Sequence, residues 1–304
     1  MKKNAFHIRH SIGSRIFDFV NYAFFTLFCL FILFPFWDLI VKSFSRAQDV
    51  SIASLNLWPK NLCFDSYKYC FGNRLIGIGF RNTILRTILA STYHLLVCSL
   101  AAFALTRTEM PLRKPVTLIF LITMFFSGGL IPTYLNMKNL GLTNKFWVYV
   151  IPGGFSMYDT IIIRNYFFSI DRSMEESASI DGASMLHVLF KIILPLSTPV
   201  LATVGLWQLV GNWNAWFDNL IYVKSDNLIT LQYLLRRMTV NISDLTQNLN
   251  SSLANTLDQV NAGSYTSETI IAATTVIILF PIMCTYPFLQ KFFVKGIMLG
   301  AVKG

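Results

Sequence analysis

Charged residues are scarce in this sequence, and that scarcity excludes an ordinary soluble protein. Aspartate, glutamate, lysine and arginine make up 13% of the 304 residues, whereas hydrophobic residues make up 54%. Soluble domains carry about 25% charged residues. The composition therefore predicts an integral membrane protein.

The sequence also lacks the motifs of several kinds of functional site. It has no glycine-rich phosphate loop ending in Gly-Lys-Ser/Thr, so we do not expect this chain to hydrolyse ATP itself. It has no basic run with interleaved aromatic residues of the kind that a nucleic-acid groove needs. The net charge of +10 is spread over the termini and short connections, which suits membrane topology and anionic lipid headgroups. We therefore predict a chain that is not an enzyme and that does not bind nucleic acid.

Cysteine and histidine residues are too scattered to suggest a metal site. Cys63 and Cys70 share one predicted external loop, where a disulfide is one interpretation and two incidental thiols are the other, which we favour. His94 stands alone in an apolar stretch, which is more typical of a satisfied polar contact than of a ligand. No catalytic residues and no metal ligands are predicted.

Six apolar segments predict an all-α protein with six transmembrane helices. They cover about residues 16–41, 82–105, 116–135, 146–168, 192–223 and 268–289. Basic residues in the N-terminal tail and around residues 107–114 place both termini in the cytoplasm. The predicted domains are a cytoplasmic tail (1–15), a six-span membrane domain (16–290) with external loops at about 44–80 and 224–267, and a second cytoplasmic tail (291–304).

Within the third predicted span, Ser127 to Pro132 form a helix-weakening patch. Such a break is tolerated at membrane depth only where protein or a water-filled cavity receives the freed backbone groups.

A polar, helix-compatible segment at about residues 171–191 lies between two long apolar runs. Ser173 followed by Glu176 has the pattern of a capping box. Gly182 costs about 1 kcal/mol against alanine inside a helix, so two short helices bent at Asp181-Gly182 are expected. The segment is amphipathic and too short to cross a bilayer. It is predicted to lie at the membrane surface.

The same segment resembles the EAA signature of the membrane subunits of bacterial ABC importers. The matching residues are Glu176, Ala178, Asp181, Gly182, Ala183, Ile192, Leu194 and Pro195. In that family the loop is a cytoplasmic coupling helix that docks into a cleft on the ATPase. The resemblance implies ATPase-docking roles for Glu176, Ala178, Asp181, Gly182, Ala183, Met185 and Leu186. The sequence departs from the signature at Ser177 and at Leu189-Phe190, which affects details of packing.

Most of the chain further resembles the carbohydrate branch of these permeases, in particular the maltose-type second permease and an oligosaccharide subgroup. The matching stretches are residues 126–134, 140–142, 164–167, 213–217 and 293–304. This resemblance implies a permease of a sugar importer in a bacterial plasma or inner membrane. It also implies a second permease, an ABC ATPase dimer that binds ATP and Mg, and a sugar-binding protein as partners. In relatives the C-terminal tail extends into the ATPase interface; the alternative for this tail is disorder. In relatives the 224–267 loop reaches into the sugar-binding protein; the alternative for this loop is a solvated connector.

Aromatic and amide residues near the end of the fifth predicted span suggest a substrate pathway. A sugar pathway needs aromatic faces for C–H stacking beside groups that bind hydroxyls. The candidates are Asn212, Trp213, Asn214, Trp216 and Asp218, together with Asp159, which stands where the family pattern leads us to expect asparagine. An interfacial aromatic belt explains the two tryptophans as well, so both interpretations stay open.

The alternative function is an ion-coupled secondary carrier, which needs ionisable groups inside the membrane. The acidic candidates are Asp18, Asp38, Asp159, Asp218 and Glu268. They lie near span ends, and no inverted repeat accompanies them. A non-transporting scaffold is the third hypothesis.

Overall fold

The computed structural model describes residues 12–50, 57–248 and 266–301. Over these ranges helices are the main secondary structure, and the β-structure consists of one isolated bridge between Ser45 and Leu62. The prediction of an all-α protein is therefore confirmed. Most of the predicted N-terminal tail, the end of the 224–267 loop and the last three residues lie outside the described residues.

The described residues form two units. The first contains residues 12–50, 57–70 and 266–276, and the second contains residues 71–248 and 277–301. In the first unit, α1 (Ile12–Ser43) is a long apolar helix with most of its side chains exposed. Ser66 Oγ donates to Thr269 Oγ1 at 2.9 Å. Cys63 and Cys70 are not joined by a disulfide.

The second unit is organised around α3, which runs over 33 residues from Arg74 to Thr106. It begins eight residues before the predicted span, because the apolar periodicity extends into the segment predicted as an external loop.

The remaining helices of the two units, in chain order, are α2 (Asp65–Gly72), α4 (Arg113–Phe125), α5 (Leu130–Asn139), α6 (Met157–Phe168), α7 (Ser173–Ile180), α8 (Met185–Val188), α9 (Leu194–Leu196), α10 (Thr198–Asn214), α11 (Phe217–Tyr222), α12 (Leu231–Asn248) and α13 (Ser267–Ala301).

Two of the predicted spans are bent. The third breaks between α4 and α5 with an angle of 118°, at the predicted helix-weakening patch, where Gly129 has a φ of +84°. The fifth bends by 81° between Leu196 and Thr198, after a π-helical turn at Leu189–Ile193. Glycine tolerates the left-handed backbone that the first break requires.

The described residues contain three helices that are long and apolar enough to cross a membrane, or five if each bent pair is one span. The fourth predicted span is helical only from Met157, because a short 3-10 turn (Phe146–Tyr149) and a loop precede it. Its 12-residue helix is shorter than the ~20 residues that span a bilayer. The six-span count remains a prediction.

The helix α12 lies in the region predicted as an external loop, and α3 anchors its first turn. Thr83 Oγ1 accepts a hydrogen bond from the Leu231 amide at 2.9 Å. The Asn82 side chain donates to the carbonyls of Asn227 and Ile229. A Cβ placed on Gly79 would lie 3.2 Å from Leu231 Cα, so only glycine fits this approach without a shift.

We predict that Gly79→Leu destabilises this anchor. The new side chain would meet the backbone of Leu231, and overpacking of this kind costs about 1–3 kcal/mol. The matched control is Gly77→Leu on the same helix, because a Cβ at Gly77 meets nothing within 4 Å. Thermal unfolding in detergent should show a lower Tm for Gly79→Leu only; equal Tm values for the two variants would contradict the close packing of α3 on α12.

Candidate docking and substrate sites

The predicted docking segment, about residues 171–191, contains two short helices joined by a sharp turn. α7 ends at Ile180, and α8 starts at Met185. Gly182 has a φ of +81°, a conformation that side chains other than glycine rarely adopt. The Ala183 amide donates to the Ala178 carbonyl at 2.9 Å and closes the turn. The predicted bend at Asp181-Gly182 is confirmed.

A side-chain hydrogen bond lies at the start of each short helix. Asp171 Oδ1 accepts from the Ser173 amide at 3.0 Å. Ser173 is the first residue of α7 and not its N-cap, so the predicted capping role of Ser173 is wrong. The hydrogen bond from the Ser173 amide lowers the pKa of Asp171, and a hydrogen bond from the Ser173 hydroxyl lowers it further. Ser184 Oγ accepts from the His187 amide and caps α8.

The docking segment packs two alanines against the core and exposes several larger apolar residues. Ala178 and Ala183 pack against a core cluster that includes Phe167, Val188 and Leu189. The remaining predicted docking residues, Glu176, Asp181, Gly182, Met185 and Leu186, are exposed. Met174 and Ile180 add to this exposed apolar surface. An apolar patch rimmed by charged residues is typical of a protein interaction site.

A polar cleft of about 420 Å³ lies beside α7. Arg107, from the end of α3, and Glu175 line it, and Arg107 Nη1 approaches Glu175 Oε2 to 2.6 Å. Glu109, Arg172 and Glu176 also contribute to its walls. The cleft thus joins the docking segment to the end of α3.

Asp159, a predicted pathway residue, is buried in a polar network between three helices. Its Oδ2 lies 2.8 Å from His94 Nε2 of α3 and 3.0 Å from Gln208 Nε2 of α10. The other ring nitrogen of His94 lies 2.7 Å from the Gly153 carbonyl oxygen. His94 is therefore a satisfied polar contact, as its isolated position indicated.

The other predicted pathway residues fall into different environments. Trp213 is buried, donates to the Ile278 carbonyl at 3.1 Å, and lines an apolar crevice of about 220 Å³. Asn212 donates to the Gln208 carbonyl at 2.9 Å, whereas Asn214 is exposed. The Arg236 guanidinium lies 3.7 Å from the ring centroid of the half-buried Trp216. These residues do not share one set of contacts, and their role in a pathway stays a prediction.

Asp218 forms an ion pair with the buried Arg86 that the sequence did not predict. Arg86 Nη1 donates to Asp218 Oδ1 at 3.0 Å, Nη2 contacts Oδ2, and the guanidinium lies over the ring of Tyr149. Asn82, Arg86 and His94 recur at multiples of four residues in an apolar run, so they share one helix face. That pattern, in a span, indicates partners elsewhere in the protein.

Comparisons with known proteins identify relatives over nearly the whole chain. No family model matches the sequence. The polygalacturonan/rhamnogalacturonan transport system permease protein YtcP of Bacillus subtilis (strain 168) is 34% identical over 292 residues, which cover 96% of this chain and 99% of the relative. Protein LplC of the same organism is 34% identical, over 98% and 99% of the two chains. Among solved structures, a chain of a bacterial ABC transporter involved in the import of the acidic polysaccharide alginate matches with a TM-score of 0.84 and 31% identity, over 94% of this chain and 99% of that one.

The buried network predicts different outcomes for two substitutions of Asp159. Asp159→Ala leaves His94 and Gln208 without their shared acceptor, at a cost of about 1–3 kcal/mol for each unsatisfied group. Asp159→Asn keeps one oxygen acceptor and should cost less. Thermal unfolding of the solubilised protein measures both, with Asn214→Ala at an exposed position as the control. Unchanged stability of Asp159→Ala would contradict a structural network.

Proposed function

This chain belongs to the permease subunits of bacterial ABC sugar importers, and we propose that it is the six-span permease of an ATP-driven oligosaccharide importer. Identity of 34% to a named transport permease over 96% of the chain carries this proposal. In the proposed importer the chain pairs with a second, homologous permease. Two ATPase subunits bind ATP and Mg, and an extracellular or periplasmic protein delivers the sugar.

The proposed spans are α1, α3, the pair α4–α5, α6 with the turn before it, the bent helix ending in α10, and α13. Each bent pair, taken together, is long and apolar enough to form one span, which supports counting it as one despite the bends of 118° and 81°. Broken helices are tolerated inside a membrane where neighbouring protein covers the freed backbone groups. This arrangement puts the docking segment and both termini on the cytoplasmic side of the bacterial membrane.

The proposed ATPase contact is the exposed surface of the docking segment. Met185 and Leu186 supply apolar contacts, and Glu176 and Asp181 supply charge at the rim. The turn at Gly182 and the packing of Ala178 on the core make the segment short and rigid. Closure of the ATPases on ATP would therefore displace the helices behind it and alternate access to the sugar pathway.

For the substrate, an acidic oligosaccharide is the class to test first. One relative is named for polygalacturonan and rhamnogalacturonan, and the solved neighbour is named for the acidic polysaccharide alginate. An exposed Arg236 guanidinium stacked on Trp216, near the exposed Asn214, suits a carboxylate-bearing sugar. In this proposal Asn214 and Trp216 face the pathway, while Asp159, Trp213 and Asp218 hold its walls in place.

Co-purification from the native membrane tests the proposal. The tagged chain should bring down a second permease and an ATPase, and the complex should hydrolyse ATP faster with a binding protein loaded with an acidic oligosaccharide. A neutral maltodextrin is the matched control for the substrate class. Uptake by the chain alone that follows an ion gradient and survives ATP depletion would favour the ion-coupled carrier.

Leu186→Glu should weaken ATPase docking without unfolding the chain. Leu186 is 61% exposed, so a charge there costs little in the isolated subunit but is buried in the proposed interface. The control is Leu140→Glu, which places the same charge at a residue 60% exposed, between the third and fourth predicted spans. Quantitative co-purification should show loss of the ATPase for Leu186→Glu alone. Retention of the ATPase in both variants would contradict docking at this surface.

A further inference from the structure

One ion pair connects the docking segment to a helix that is distant in the chain. α7 follows α6 closely in sequence and leads into α8 and α10, so the backbone connects it to those helices. It has no such connection to α3, because 66 residues lie between the end of α3 and the start of α7. Arg107 Nη1, just beyond the end of α3, lies 2.6 Å from Glu175 Oε2 of α7. This contact joins the two helices by charge.

The surroundings of Arg107 distinguish this pair from an ordinary surface ion pair. Exposed pairs contribute little because water screens them and both side chains stay mobile. Here the side chains of Arg107 and Glu175 are only 24% and 21% exposed. The guanidinium also lies 4.1 Å from the ring centroid of Phe103, which restricts its orientation.

The other donor atoms of the Arg107 guanidinium show that it depends on Glu175 as its acceptor. Its Nε and Nη2 are buried and have no acceptor among the residues that the structure describes. Glu175 thus supplies the carboxylate for a guanidinium that is only 24% exposed. Separation of the two groups leaves a partly buried charge without its partner, which is unfavourable.

The far end of this link is the helix on which the second unit is organised. Along α3, Arg86 pairs with Asp218 of α11, and His94 pairs with Asp159 of α6. The hydroxyl of Ser91 accepts from the Asn212 side chain of α10 at 3.4 Å. A displacement applied at the end of α3 therefore acts on three other helices.

We propose that Arg107 is a positioning residue that transmits displacement of the docking segment to α3 through Glu175. This inference rests on the proposed function, because it needs an ATPase that moves α7. Arg107 touches neither sugar nor nucleotide in this account. Its role is to make α3 follow α7, so that ATP hydrolysis and sugar movement stay linked.

The test is the number of sugar molecules moved per ATP hydrolysed by the purified transporter in liposomes. Arg107→Ala should lower this ratio at least about fivefold, the lower end of measured coupling between sites. Arg107→Lys keeps the positive charge. The double variant Arg107→Glu/Glu175→Arg keeps an ion pair with its two members exchanged. Both should therefore show most of the wild-type ratio of sugar moved to ATP hydrolysed. A purely structural role would reduce assembly, uptake and hydrolysis together and leave the ratio of assembled transporters unchanged.

Glu109→Gln is the matched control, because Glu109 is an exposed carboxylate of the same cleft. If Arg107→Ala does not assemble, Glu175→Gln decides, since it removes the charge and keeps an oxygen acceptor. A wild-type ratio in either variant, or an equal fall in Glu109→Gln, overturns the inference. A wild-type transporter that moves sugar without hydrolysing ATP overturns the proposed function and this inference with it.

Discussion

The second unit depends on one constraint: polar groups inside an apolar helix must find partners within the protein. α3 carries Asn82, Thr83, Arg86, Ser91 and His94 in its buried part. In the absence of water, each unsatisfied group costs several kcal/mol. Their hydrogen bonds and ion pairs therefore fix where α6, α10, α11 and the start of α12 pack. Apolar packing alone would leave these helices freer to slide, because lipid tails are as apolar as leucine.

The docking segment meets the opposite requirement, since it must offer a surface to another protein while keeping its own shape. Small residues face the core, large apolar residues face outwards, and a left-handed glycine sets the turn. Arg107 and Glu175 then connect this segment to α3. The rigid docking segment and the polar contacts of α3 thus meet at the cleft that Arg107 and Glu175 line. A segment that transmits movement from an ATPase to the membrane helices needs such a connection.

Local patterns predicted much of this structure. The apolar runs located the long helices, and Gly182 and the 127–132 patch located two of the breaks. α12 was missed because it has no long apolar run and its first turn is stabilised by α3, far away in sequence. The Arg86–Asp218 and His94–Asp159 pairs join residues 132 and 65 positions apart, so no local pattern identifies the partners. Ser173 was wrongly predicted as an N-cap, because α7 begins at Ser173 itself and the side chain of Asp171, two residues earlier, accepts the hydrogen bond from the Ser173 amide.

The central claim is that the docking segment and α3 move together during transport. Spin labels at Ser179 and Leu85, in an otherwise cysteine-free chain, would report their separation in the assembled transporter. A second pair, Leu85 and a site on the partner permease, would report movement between the permeases. If α7 and α3 move together, ATP and loaded binding protein should change the second distance and leave the first unchanged. A change in the first distance with none in the second would show that α7 swings independently of α3 and would contradict the account.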